Sequence, residues 1–202
     1  MAKKAKSKAK AKTKTLTPRL PQIPEDELTQ PQRDLMESIR SGPRGRVSQG
    51  GPFGVYLYAT EFGSIAQQLG AHCRYNKVVP PRLSEFVILC TARYWRANYE
   101  WYAHAIHAEK AGVTPATIAD IKAGRKPKKA PKDELALYDY FQEYYKTRRV
   151  SDRTYQRVHA FLGDQGMVEL AGIMGYYVMV SNLLNMFNVP VPPDAKPAFA
   201  EK

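Results

Sequence analysis

The chain has 202 residues, of which 44% are hydrophobic, and its formal net charge is +12. This size suits one globular domain with an extension. The N-terminus lacks the apolar core of a secretory signal and the amphipathic pattern of a transit peptide, so we expect a cytoplasmic protein. Two cysteines, Cys73 and Cys90, match no zinc or redox spacing.

The positive charge is concentrated at the N-terminus. The first twenty residues, "MAKKAKSKAKAKTKTLTPRL", hold seven lysines, one arginine and no acid. Their like charges repel and they offer no apolar face, so we predict a disordered Lys/Ala-rich tail over residues 1–24. Residues 1–19 could attract nucleic acid or an anionic surface weakly and nonspecifically. The alternative, which we favour, is a solubilising extension, since the remaining sequence carries no nucleic-acid motif.

The rest of the chain has apolar residues at helical spacing, with Leu35, Met36 and Ile39 as the first such face. No segment alternates with period two for long enough to form a strand. We predict an all-α domain of about seven or eight helices over residues 25–195, followed by a C-terminal tail, 196–202. The predicted helices cover about residues 31–40, 61–72, 85–96, 99–111, 115–124, 134–149, 151–163 and 167–187.

Several residues indicate where helices begin and end. Thr60, Ser84, Asn98 and Thr114 are predicted N-caps, and Gly112 is the expected residue just after a helix end. Between the first two helices, "SGPRGRVSQGGPFG" is a long loop, and "VSQGGPFGVYLYAT" is apolar enough to fold back over the domain. We expect this segment to line a pocket.

The last predicted helix, "MVELAGIMGYYVMVSNLLNMF", is hydrophobic on nearly every side. Polar residues Glu169, Asn182 and Asn185, together with small residues near its start, favour protein packing over a membrane span. We therefore expect this helix to lie in the core or between subunits.

The segment "RANYEWYAHAIHAEKAG" carries the candidate catalytic groups. Glu100, His104 and His107 are spaced by four and three residues, so a helix places them on one face. A carboxylate one turn from an imidazole can orient it and raise its pKa, which prepares it for acid–base work. Glu85, at the start of the preceding helix, could join them. The alternatives are a surface ion pair or polar residues in a core; the spacing is not typical of a metal site, and we predict no metal or other cofactor.

Candidate substrate-binding residues flank this face. Arg93 and Arg96 could bind a substrate carboxylate in two places. Tyr99 and Trp101 could form walls for a flat ring, and His107 could also touch substrate, although each of these side chains could equally serve only in packing.

The segment "PPRLSEFVILCTARYWRANYEWYAHAIHAEKAGVTPATI" resembles the carboxymuconolactone decarboxylase superfamily, also called AhpD-like. The likeness lies in Leu-Ser-Glu before an apolar helix, in Tyr-Glu-Trp and in His104, and it extends over about residues 30 to 195. It implies an AhpD-like helical bundle that assembles as a homotrimer or homohexamer.

The same resemblance separates two activities. Peroxidase members carry a CxxC motif four residues before the histidine, and those positions are Ala97 and Glu100 in this chain. Disulfide-cycling peroxide reduction needs both thiols, so peroxidase activity is not expected. The branch without the dithiol is a cofactor-independent lyase, which implies His104, Glu100 and Glu85 as catalytic groups.

The expected substrate class is a small unsaturated carboxylic acid or lactone, as in the breakdown of aromatic compounds. Decarboxylation, isomerisation and dehydration would need the same groups. Two other classes stay open, a redox protein that uses Cys73 or Cys90, and an oligomeric binding protein whose tail holds nucleic acid.

Overall fold

A computed structural model describes residues 17–75 and 77–200. These residues form an all-α fold without β-strands, as the sequence predicts. A single 3-10 turn, Glu25–Glu27, precedes the helices. The eight α-helices are α1 (Gln30–Arg40), α2 (Pro52–Tyr56), α3 (Thr60–Tyr75), α4 (Pro81–Trp95), α5 (Asn98–Lys110), α6 (Pro115–Lys122), α7 (Lys132–Thr147) and α8 (Asp152–Met186).

Helix α4 is the centre of the main core. All ten residues from Leu83 to Ala92 are buried, because this helix is apolar on nearly every side and its neighbours α5, α7 and α8 cover it. Glu85 is carried into the interior with them. The position of any polar group on this helix is therefore determined by core packing.

A smaller core joins α1, α2 and α3. The predicted apolar face of α1, formed by Leu35, Met36 and Ile39, is buried and packs with Tyr56 and Leu57. The apolar segment after the glycine-rich loop thus folds back over the domain as expected, and part of it forms α2.

The predicted caps have mixed outcomes. Thr114 does cap α6, since its hydroxyl accepts a hydrogen bond from Thr117 N at 3.2 Å, and Gly112 has a φ of +100° just after α5. The prediction for Ser84 is wrong: α4 begins at Pro81, since proline at the first helical turn needs no N–H partner, and Ser84 is buried inside the helix. Asn98 is the first residue of α5 rather than its cap.

Helix α8 unites two predicted helices. The chain continues through Gly163, whose φ of 64° and ψ of −179° break the helical geometry and make a kink. By length and composition α8 could cross a membrane, but 50% of its most apolar window is buried inside the fold. The buried core helix of a folded domain has these same properties.

Both described chain ends pack on the domain. Ile23, within the predicted tail, exchanges two hydrogen bonds with the side chain of Gln49, so the last residues of this segment pack on the domain. Residues 1–16 lie outside the described part of the chain. At the other end, Phe199 is buried and both its backbone groups bond to the Asn98 side chain, at 2.8 and 3.1 Å.

Candidate active site

Helices α4 and α5 bring Glu85, Glu100 and His104 into contact. The turn between the helices contains Arg96 in a left-handed conformation, with a φ of 52°, and this turn directs α5 back along α4. His104 Nδ1 then lies 2.6 Å from Glu85 Oε2, and His104 Nε2 lies 3.1 Å from Glu100 Oε1. One imidazole is therefore held between two carboxylates, and we call these three residues the Glu-His-Glu triad.

The triad is buried and His104 is cationic at neutral pH. Glu85 is 8%, Glu100 3% and His104 5% exposed. Burial by itself disfavours the charged imidazole, but the negative charges of Glu85 and Glu100 and their hydrogen bonds outweigh it and raise the pKa of His104 to about 9. Burial acts in the opposite sense on Glu85, yet the charge of His104 prevails and lowers the pKa of that carboxyl.

Tyr177 of α8 closes the site from the side. Its ring meets the imidazole of His104 edge-on, with ring centroids 4.9 Å apart and an interplanar angle of 84°. Burial, together with the charges of Glu100 and Glu85, raises the pKa of Tyr177 well above its ordinary value. The phenol therefore stays neutral and shields the imidazole from water.

A group of basic side chains surrounds the Glu85 side of the triad. His107 is exposed, and its ring centroid lies 5.8 Å from that of His104. Arg74 favours the ionised form of Glu85, whereas burial and Arg74 both lower the pKa of His107. Lys77 donates to Arg74 O at 2.7 Å, and burial lowers its pKa although Glu85 opposes the shift. We call Arg74, Lys77 and His107 the basic cluster.

Three predicted binding residues lie against the C-terminal segment. Arg93 Nε donates to Lys122 O at 2.8 Å, and Arg96 Nη2 donates to Ala200 O at 2.9 Å. Both guanidinium groups also lie over the Phe199 ring, at 5.5 and 5.9 Å from its centroid. Trp101 is buried against the same ring, at 5.4 Å. In this structure all three side chains hold residues near 199 onto the domain.

Tyr99 lines a cavity of about 490 Å³ with the glycine-rich loop. A Cβ atom on Gly51 would stand 2.4 Å from Tyr99 Cε1, and one on Gly50 would stand 2.8 Å from the Tyr99 hydroxyl, so only glycine allows this close packing. Proline-rich residues 18–22 and 189–193 complete the wall. Because Tyr99 precedes Glu100, the cavity lies beside the helical turn that carries the triad.

The remaining ionisable candidates lie in the core. Both cysteines are buried, and burial raises the pKa of each thiol. Within residues 17–75 and 77–200, no group of three or more His, Cys, Asp or Glu side chains is arranged to hold a metal ion.

The triad was accessible to sequence reasoning, whereas three of its neighbours were not. Tyr177 is hidden in an apolar helix, and Arg74 and Lys77 are ordinary surface residues by composition. The basic cluster is spread over α3, the following turn and α5, so only the tertiary fold reveals it. No protein-family model matches this chain, and no curated protein shows significant sequence similarity to it. Membership in the AhpD-like superfamily therefore stays a prediction.

Proposed function

We propose that the protein is a cofactor-independent acid–base enzyme, a lyase of the carboxymuconolactone decarboxylase type that acts on a small unsaturated carboxylic acid or lactone. The observation that supports this most is a buried imidazole held between the carboxyl groups of Glu85 and Glu100. Enclosing three ionisable groups costs stability unless they are well paired. Such groups with shifted pKa values are typical of catalytic sites.

The two halves of the triad have separate tasks in this proposal. His104 is the acid, because its pKa of about 9 leaves it protonated at neutral pH. Glu85 is the base, since its lowered pKa keeps it ionised. Pairs of groups whose environments push their pKa values apart are the usual basis for such assignments.

For decarboxylation, these groups supply a proton and a dry environment. The bond between the substrate carbon and its carboxylate breaks, carbon dioxide leaves, and the bonding electrons move into a conjugated carbonyl as an enolate. His104 then protonates the carbon and recovers its proton from water, so that the net reaction consumes one proton. Tyr177, packed edge-on against His104, helps to exclude water.

The basic cluster is the best-placed group for binding the substrate carboxylate. Arg74, Lys77 and His107 all act electrostatically on the Glu85 side of the triad. Arg93 and Arg96, which the sequence suggested for this task, are engaged elsewhere: Arg93 donates to Lys122 O of α6, Arg96 donates to Ala200 O, and both lie over the Phe199 ring. An anion held by the cluster would place the adjacent carbon near His104.

The other functional classes have less support. A redox function needs a reactive thiolate, and burial raises the pKa values of both Cys73 and Cys90, which disfavours that form. Assembly as a homotrimer or homohexamer stays a prediction. Nucleic-acid binding rests on residues 1–19, of which 1–16 lie outside the described chain, and retention on DNA of the full chain and of a form without residues 1–15 would measure it.

The test is turnover of a panel of unsaturated lactone acids and oxo acids in deuterated water. Nuclear magnetic resonance follows loss of the carboxylate and deuterium entry at carbon, which detects decarboxylation and isomerisation alike. We expect His104→Gln to lose at least a hundredfold in rate, while the matched control Glu109→Gln, an exposed residue of the same helix, keeps the rate. Equal rates in His104→Gln and the wild type would refute the proposal.

A further inference from the structure

A second cleft lies between α4, α7 and α8. Its volume is about 510 Å³. Its walls are aromatic and its floor is formed by small or flexible side chains of α8. Among the residues that line it are Tyr94, Trp95, Tyr144, Tyr145, Arg148 and Gly175.

This cleft is separate from the Glu-His-Glu triad. Ala171, Met174, Gly175 and Val178 line it, and their spacing of three, one and three residues places them on one stripe of α8. Tyr177, which contacts His104, lies on a different face, rotated by about 100° from Val178. The triad and the cleft therefore use the same helix but have no lining residue in common.

The shape of the cleft favours a flat ring. The rings of Tyr94 and Tyr145 lie 4.4 Å apart, Phe141 stacks on Tyr145 at 4.3 Å, and Phe141 also meets Tyr94 edge-on at 6.3 Å, so the wall is already ordered. Gly175 leaves open space on the floor, because a Cβ atom placed there would meet nothing within 4 Å. Aromatic pairs of this kind gain from offset or edge contacts with a further ring.

One of the lining residues is an arginine, Arg148. It ends α7 in a left-handed conformation, with a φ of 65°, and its guanidinium donates to the carbonyl of Tyr145. This contact orients the arginine along the aromatic wall. A carboxylate bound beside it would meet a planar group that can donate two hydrogen bonds to it.

The wall also contains a donor without a partner. Trp95 Nε1 is buried and forms no hydrogen bond within the described chain. The Tyr145 hydroxyl is a neighbour of this indole: burial raises the pKa of Tyr145, and contacts with Trp95 and Thr91 partly offset the shift. An unmet buried donor costs stability, and an acceptor on a ligand would remove that cost after a small turn of the indole.

We propose that the cleft binds a planar aromatic carboxylate, with the ring packed against the tyrosine wall and the carboxylate at Arg148. This binding does not depend on the triad or on the proposed lyase activity. Benzoate is the simplest probe. From its size we expect a dissociation constant of about 1 mM or tighter.

Calorimetric titration of the full chain with benzoate measures the affinity, and fluorescence locates the site. The chain has two tryptophans, Trp95 and Trp101, so Trp101→Phe leaves Trp95 as the single indole reporter. We expect benzoate to quench the fluorescence of Trp95 saturably, with the same midpoint concentration as in the calorimetric titration. Cyclohexanecarboxylate, which has no flat ring, should bind at least fivefold more weakly. No heat of binding, or quenching that stays linear with concentration, would overturn the proposal.

Two exposed glycines of α8 provide matched variants. Gly175 lines the cleft and Gly172 does not, and both have open space around them, so leucine is tolerated at either position. We expect Gly175→Leu to weaken benzoate binding at least tenfold and Gly172→Leu to leave it unchanged. Arg148→Gln should weaken benzoate about fivefold but leave benzamide unaffected. Equal effects of the two leucines would overturn the proposal. A second result would also overturn it: no form of the protein binds benzoate, and Gly175→Leu, unlike Gly172→Leu, dissociates an assembly of several copies. The cleft would then be a contact between copies.

Discussion

Raising the pH should destabilise this protein through His104. The pKa of His104 is about 9 in the folded chain, against about 6.5 in an unfolded chain. At a pH between these two values the folded state holds a proton on His104 that the unfolded state has lost. The free energy of unfolding therefore falls as the pH rises, by at most about 1.4 kcal/mol per pH unit. The contribution is fully present below about pH 6.5 and is lost as the pH rises through about 9. Between pH 6.5 and 8.5 the expected loss is about 2 kcal/mol.

The assay is urea unfolding, followed by circular dichroism, at pH 6.5, 7.5 and 8.5. This range ends where unfolded cysteines begin to ionise, at about pH 8.5. His104→Gln removes the titrating group, so the unfolding free energy of this variant should lack the decline. The variant should also be about 3 to 5 kcal/mol less stable than the wild type at pH 6.5, because two buried carboxylates lose their cation.

The control is His107→Gln, one turn further along α5. Burial lowers the pKa of His107, so its own titration lies below about pH 6.5 and the variant should keep the wild-type decline. Lys77 titrates with the opposite sign, but it is present in all three proteins and cancels in the comparison. A wild-type curve that is parallel to that of His104→Gln would refute the reasoning, because His104 would then be neutral.

Three further predictions concern the surroundings of the site. Gly51→Ala should cost about 1 to 3 kcal/mol of unfolding free energy, because its φ is 65° and its new methyl group would collide with Tyr99; an unchanged urea midpoint would contradict this. Phe199→Ala should cost about 3 kcal/mol, since this ring is buried, and a midpoint like that of the wild type would show that the C-terminal segment is loosely held. Cys73 and Cys90 should react with a thiol reagent only as fast as the protein unfolds, since both are buried; rapid labelling of the native protein would show an accessible thiol.

The sequence predicts the parts of the fold that follow from local periodicity. The spacing of Glu100 and His104 places them one helical turn apart, and their contact needs nothing more than a helix. Glu85 joins them because the Arg96 turn reverses the chain, whereas the sequence indicated only that Glu85 could reach this face. The apolar face of α1 and the Thr114 cap followed in the same way.

Long-range packing accounts for what the sequence did not predict. Arg93 and Arg96 look like carboxylate-binding residues in the sequence, but Arg93 donates to Lys122 O of α6, and the C-terminal segment folds back so that Ala200 O and the Phe199 ring contact these arginines. Nothing local to either arginine reveals this, since their partners lie far away in the chain. Arg74 and Tyr177 come close to the triad for the same reason. Ser84 was misassigned because the proline at the start of α4 extends the helix by one turn before it.

The charge on the buried imidazole is the central claim, and a nuclear magnetic resonance titration of ¹⁵N-labelled histidine tests it most directly. At pH 7.5 both ring nitrogens of His104 should carry protons, with a titration midpoint near 9. His104→Gln identifies the signal by its absence. A single protonated nitrogen at pH 7.5, with a midpoint at or below about 6.5, would contradict the account, since His104 could not then be the acid of the Glu-His-Glu triad.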